Sequence, residues 1–238
     1  MENSENPGNN EFVILRSTNI PPHPTAARLM SSSRKLLWLL LVATLVATAA
    51  SFWEAPYPSE LRLQHVPTVI GLVALGVVAE RGALSTSSIV CLLAFIWLHL
   101  IGARWIYSFV PYDQWCEKLC GMSLSEVFGW KRNHYDRLVH LASGILFVPP
   151  AWELIQQQGL TSRWWTAGLS ISIVLAIGAI YEIVEWAIAM LFAPHYAESY
   201  NGQQGDLWDP QKDLALAGIG AIISAIHLVM VRRASPLK

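Results

Sequence analysis

Three groups of ionisable residues sit in or beside long apolar runs of this chain. Asp136 and His140 are four residues apart in NHYDRLVH, which places them on one face of a helix, about 6 Å apart along its axis. Glu182 and Glu185 are three apart in YEIVEW and again share a face. Asp206, Asp209 and Asp213 follow in GDLWDPQKD. Two carboxylates one turn apart in an apolar run repel each other unless they are protonated, paired with Arg or bound to a cation. Oxygen and nitrogen donors without thiolates suit a hard or borderline divalent cation such as Mg²⁺, Mn²⁺, Ca²⁺ or Zn²⁺. A cation held by Asp136, His140, Glu182, Glu185, Asp209 and Asp213 could activate water or polarise a phosphoryl oxygen. The expected catalytic set is these six residues together with Asp206. HExxH, HxxxH and CxxC spacings are all absent.

Each residue also has a plainer role. Asp136 and Asp213 suit helix N-caps. His140 alone would serve as a satisfied interior histidine, and the glutamate pair could be neutralised by Arg104 or Arg137. Asp206 and Asp209 alone describe a turn, punctuated by Gly205 and Pro210.

The elements that must position these groups are membrane helices. The chain of 238 residues has only 16 basic and 17 acidic side chains, 14% charged in all against a usual figure of about 25%. It is 53% apolar, with 11 tryptophans, which excludes a disordered polymer. A net charge of −1 argues against a nucleic-acid partner. The apolar residues are concentrated in blocks, and a span needs roughly 20 of them. The expected fold is all-α: a polytopic bundle of about six spans at 35–53, 66–82, 84–110, 135–155, 164–192 and 213–231. Together they form a transmembrane domain over 35–233, in contact with the lipid bilayer. Residues 1–34 are polar and rich in Asn, Ser and Pro, a disordered tail with no cleavable signal, and 234–238 form a short tail. The second segment is the shortest and could be a re-entrant stretch.

With both termini cytoplasmic, the inner segments carry Arg16, Arg28, Arg34, Lys35, Arg81, Arg163, Arg232, Arg233 and Lys238. The outer loops carry Arg62, Lys118, Lys131, Arg132 and Lys212. This orientation puts Asp136, Glu182, Glu185 and the GDLWDPQKD loop near the outer face. His99, Arg104 and Tyr107 lie in the outward half of the third span. Such a gathering is costly beside lipid and points to a function.

Cys116 and Cys120 are expected as free thiols and Cys91 as packing. Trp53, Trp105, Trp115, Trp164, Trp165 and Trp208 read as interfacial anchors. Gly71, Gly76, Gly168, Gly178, Gly218 and Gly220 read as sites of close helix packing. Pro149 and Pro150 should kink the fourth span or end it early.

NHYDRLVH with Gly144, YEIVEW, GDLWDPQKD and HLIGARWIYSFVP together resemble the YjdF-like family of bacterial inner-membrane proteins of unknown function, over roughly residues 60 to 230. The resemblance implies a bacterial inner-membrane location. It also adds His134, Trp208 and Gln211 to His99, Arg104 and Tyr107 as supporting polar residues. Arg104, Trp105, Ile106, Val139 and Leu141 to Ser143 depart from that family's pattern. A more remote similarity of residue order links the chain to VanZ-like membrane proteins. Neither resemblance supplies an activity.

Three functions fit these residues. The first is a cation-dependent membrane enzyme, a hydrolase or phosphoryl-transfer enzyme, acting on a lipid-linked or envelope substrate. The second is an envelope assembly or structural factor, in which the acidic residues pair internally with Arg104, Arg132 and Arg137. The third is a proton- or cation-coupled transporter of small solutes.

Overall fold

The computed structural model describes residues 24–160, 162–192 and 202–231. Among these residues the fold is all-helical, with eight helices and no strand. Six are long and apolar enough to cross a membrane. They are α1 (Pro24–Ala50), α2 (Pro58–Arg81), α3 (Thr86–Arg104), α6 (Tyr135–Gln157), α7 (Arg163–Phe192) and α8 (Asp209–Val231). Two short helices, α4 (Tyr112–Cys120) and α5 (Leu124–Phe128), lie in the connection between α3 and α6. Helices are the form expected here, because lipid offers no partner to an open backbone N–H or C=O. Most of the expected tail, residues 1–23, and the short tail 234–238 lie outside the described residues; from Pro24 the chain is helical.

Two spans differ most from the expected ones. The second is a full helix that begins at Pro58 instead of Val66, so it is long enough to cross. Hydropathy hides its first turns because they carry Glu60, Arg62, Gln64 and His65; Gln64 and His65 are buried against neighbouring helices. The third ends at Arg104 instead of continuing to Val110. Ile106 and Tyr107 both take positive φ, 42° and 55°, a rare conformation for such side chains, and they break the helix there. Pro149 and Pro150 neither end nor interrupt α6, which continues to Gln157.

The helices pack in two groups joined by α3 against α6. On one side α1, α2 and α3 pack on one another around Leu41, Leu72, Leu75, Ile89 and Leu93. On the other α6, α7 and α8 meet around Val148, Trp152, Val174 and Ala221. The tightest seam is α6 on α8. A Cβ on Gly144 would overlap the Ala217 carbonyl, and one on Gly220 would overlap the Leu141 carbonyl. Two backbones approach this closely only where one side has no side chain. Gly71 and Gly168 meet no neighbour and make no such seam.

Polar contacts fix the ends of the spans. At one end Glu153 of α6 accepts hydrogen bonds from the Ser85 N–H and hydroxyl (2.7 Å each) and the Ser88 hydroxyl (2.5 Å), clamping the start of α3. At the other, Arg104 donates to the carbonyls of Ser51 (2.5 Å) and Trp53 (2.9 Å), so α3 holds the end of α1. Cationic donors suit these carbonyls because the helix dipole leaves them negative. Trp53, Trp164, Trp165 and Trp208 are exposed, as anchors would be. Cys91, Cys116 and Cys120 are all free.

Candidate functional site

The acidic residues converge at the end of the bundle where α6 and α8 begin, and there they divide into two sets. One set is an ion-pair network. Arg132, in the connection leading to α6, binds Asp209 at 2.5 and 3.0 Å. Arg137 donates to Asp206 (2.7 Å) and Asp209 (3.2 Å), and Lys212 reaches Asp206 at 2.5 Å. The Arg132 guanidinium also donates to the Gly202 carbonyl at 2.8 Å, so the segment before α8 is tied down over α6. Asp206 caps its own turn by accepting from the Trp208 N–H. The Lys212 ammonium holds the Asp206 carboxyl down at about 2, helped by the Trp208 N–H and Arg137. Burial opposes charge on Arg132, yet its bond to Asp209 raises it further above its ordinary value.

The second set lies beneath; Arg132 and Arg137 act on it at longer range, but among the described residues no Arg or Lys makes an ion pair with it. Asp136, His140 and Asp213 each offer a ligand atom, and the three atoms lie within 4.8 Å of one another. His140 Nε2 lies 3.6 Å from Asp136 Oδ1 and 3.4 Å from Glu182 Oε1, so it bridges α6 and α7. Asp213 is only 2% exposed, and its Oδ1 has no hydrogen-bond partner. Glu182 Oε1 likewise accepts no hydrogen bond. Gly202, at φ 71°, lies directly over the Asp136 carboxylate, where a Cβ would crowd Oδ2. Glu185, one turn beyond Glu182, is partly buried and outside the three-residue group.

The supporting residues scatter. Arg104 serves the α1 end and does not reach the glutamates. His134 lies beside the Trp130 ring, 4.4 Å between centroids, while its backbone N–H donates to the Tyr112 hydroxyl. Burial, then Arg137 and Arg132, lower the His134 pKa below the ordinary histidine value. Trp208 and Gln211 are exposed on the outer surface of α8's first turn and its approach. His99 and Tyr107 are buried together, His99 Nδ1 being 2.5 Å from the Tyr107 hydroxyl. Gly102 makes this possible, because the Tyr107 ring folds back against its bare Cα.

His99 belongs to a chain of hydrogen bonds that sequence reasoning missed. Ser51 Oγ lies 2.7 Å from His65 Nε2, and His65 Nδ1 lies 3.4 Å from Thr68 Oγ1. Thr68 Oγ1 lies 2.8 Å from His99 Nε2, which also faces the Gln64 carbonyl at 3.2 Å. The signal was the one-face spacing of Gln64, His65 and Thr68, legible only once the helix is started at Pro58.

Both Asp136 and His140 line a cavity of about 530 Å³. Thr68, His99, Tyr107 and Tyr181 share its polar end, and apart from Ser143, whose hydroxyl donates to the His140 carbonyl, the rest of the wall is apolar, from α2, α3, α6 and α7. Tyr181 presents its ring in a T-shaped arrangement to His140 at 6.4 Å. The geometry thus joins a carboxylate and imidazole donor set to an apolar chamber.

A family model described as "Predicted membrane protein (DUF2238)" matches residues 36–234. The chain is also similar to the Inner membrane protein YjdF of Escherichia coli (strain K12), with 31% identity over 171 residues, 70% of this chain and 76% of that protein. No solved structure matches.

Proposed function

The chain belongs to the DUF2238 family of predicted membrane proteins, and from that premise we propose a multi-pass protein of the bacterial inner membrane that binds a divalent cation through Asp136, His140 and Asp213. In this reading it acts as a hydrolase or phosphoryl-transfer enzyme on a lipid-linked or envelope substrate. The observation that carries it is the donor set itself: three ligand atoms within 4.8 Å, with Asp213 Oδ1 buried and unpartnered. Buried carboxylates that no Arg or Lys pairs directly are costly, and a cation relieves that cost. The relative's printed inner-membrane name supports the location. The balance of Lys and Arg supports cytoplasmic termini, which puts this site at the outer leaflet.

Asp136 and Asp213 supply oxygens and His140 one nitrogen. Glu182, 3.4 Å from His140, orients the ring or takes a fourth place. A cation held there would supply Lewis acidity, polarising a phosphoryl oxygen or activating water. Glu185 is the nearby carboxylate left to exchange a proton with solvent or substrate. Asp206 and Asp209 hold the roof of the site through Arg132 and Arg137. These ion pairs also favour a second reading, an envelope assembly or structural factor in which the network serves stability alone.

The deciding experiment is metal analysis of purified protein after equilibration with Mn²⁺ or Zn²⁺ and dialysis. The expected result is about one bound ion per chain, matching the one three-donor group among the described residues, with loss in Asp213→Asn and His140→Ala and retention in Lys212→Ala. An ion-free wild type, or variants that bind as well as it does, overturns the cation reading and leaves the structural one.

A further inference from the structure

The cavity beside the donor set has a direction and a door. Its α2 wall runs from Pro67 to Val78 and its α6 wall from Asp136 to Phe147. At 1.5 Å per residue each stretch covers about 16 Å, roughly half the 30 Å hydrocarbon thickness. The polar groups gather at one end. Ser143 apart, the rest is lined by apolar side chains, with Phe95 and Phe147 meeting edge to face at 4.6 Å in its wall. α2 packs on α1 and α3, and α7 packs on α6 and α8; neither packs closely on the other. Ala74 of α2 and Ile177 of α7 both line the cavity and are exposed. The mouth therefore opens sideways between α2 and α7, at a depth where the surroundings are lipid tails.

We propose that this cavity receives one hydrocarbon chain of a membrane lipid, entering between α2 and α7, with the lipid's polar head beside Asp136 and His140. An apolar chamber offers nothing to a polar solute except at its one polar end, and water within it would lack partners. A volume of about 530 Å³ lies in the usual range for a single bound small ligand, roughly 300–1,000 Å³, and does not suit a whole two-chain lipid. Half the membrane thickness is the length of a chain from one leaflet. This assignment deepens the reading above, because it makes the substrate of the donor set a lipid that enters from its own leaflet.

The test is photo-crosslinking in vesicles of a phospholipid that carries a diazirine midway along one acyl chain. In wild type, adducts are expected on Val139 and Phe147, which face the chamber. Ala74→Trp blocks the mouth and should cut these adducts about tenfold, a loss near 1.4 kcal/mol of binding. Labelling of the lipid-facing Val73 and Ile180 should stay the same. Gly71→Leu gives a second blocking variant at a position that lines the cavity and where an added Cβ meets no neighbour. Adducts spread evenly over lipid-facing residues, or adducts unchanged by both blocking variants, overturn the proposal. Each sample is assayed metal-free and with Mn²⁺. Chamber adducts without metal binding keep the cavity and end the cation reading; metal binding without chamber adducts does the reverse.

Discussion

Arg132 grips Asp209 through two nitrogens, at 2.5 and 3.0 Å, and Asp209 is wholly buried at the first position of α8. The pair joins the connection before α6 to the start of the last span. It also keeps Asp209 out of the donor set beneath, since an aspartate held by Arg132 and Arg137 has its charge already matched.

Removing Arg132 leaves the buried Asp209 with Arg137 alone, at 3.2 Å. Arg132→Ala should therefore cost about 3 kcal/mol, the low end of the range for breaking a buried ion pair. Thermal unfolding in detergent reads the loss. The double variant Arg132→Met with Asp209→Leu should unfold at a higher temperature than Arg132→Ala, because no buried charge is left unmatched. A double variant no more stable than the single one would show that the cost lies elsewhere.

The seam between α6 and α8 predicts a sharp contrast among glycines. Gly144→Ala drives a methyl group into the Ala217 carbonyl, and both backbones must separate. A loss of about 1–3 kcal/mol is expected, as for other overpacked interiors. Gly71→Ala meets no neighbour and should be neutral. Equal melting temperatures for the two variants would contradict this account of the seam.

His134 predicts a pH dependence. Burial and the nearby Arg137 and Arg132 lower its folded pKa, so protonation favours the unfolded state. Its contribution is fully present above the unfolded value of about 6.5. It falls away as pH drops through that value toward the lowered folded one. Melting temperature should decline between pH 7 and pH 5, and His134→Phe should lessen that slope. A slope identical in the variant assigns the dependence to other groups.

The buried chain through His99 predicts an asymmetric response. His99→Phe removes the partner that Thr68 and Tyr107 share, at about 0.5–1.5 kcal/mol for each hydrogen bond lost, while Thr68 keeps the Gln64 carbonyl at 3.1 Å. Adding Tyr107→Phe to that variant removes a hydroxyl that has already lost His99, so the double variant should lose less than the sum of the two single ones. Additive losses in the double variant would show that the two side chains do not depend on each other.

Much of the membrane architecture was written in the composition. Six apolar blocks with few charges leave a chain little choice but helices, because backbone groups in hydrocarbon must be satisfied within each segment. Boundaries were less legible where polarity serves the interior. Gln64 and His65 look like loop residues in sequence, and only a neighbour such as His99 or Ser51 explains why they lie inside a span. The end of α3 was hidden for the opposite reason, since Trp105 to Val110 are mostly apolar and yet lie beyond the helix, which ends at Arg104.

The sequence by itself also determined which residue types would gather at one end of the bundle, because helical spacing aligns Asp136 with His140 and Glu182 with Glu185. It could not determine which carboxylates are matched by cations. That depends on Arg132 crossing from the α5–α6 connection to Asp209, and on Arg137 turning toward Asp206, contacts between residues some seventy positions apart. Tertiary packing alone divided the acids. Asp206 and Asp209 meet guanidinium groups near the rim, while Asp136, His140 and Asp213 are drawn together below, where α6 and α8 approach closely enough through Gly144 and Gly220 to bring their first turns into contact. The lateral chamber was beyond sequence for the same reason, since it exists only because α2 and α7 stand apart.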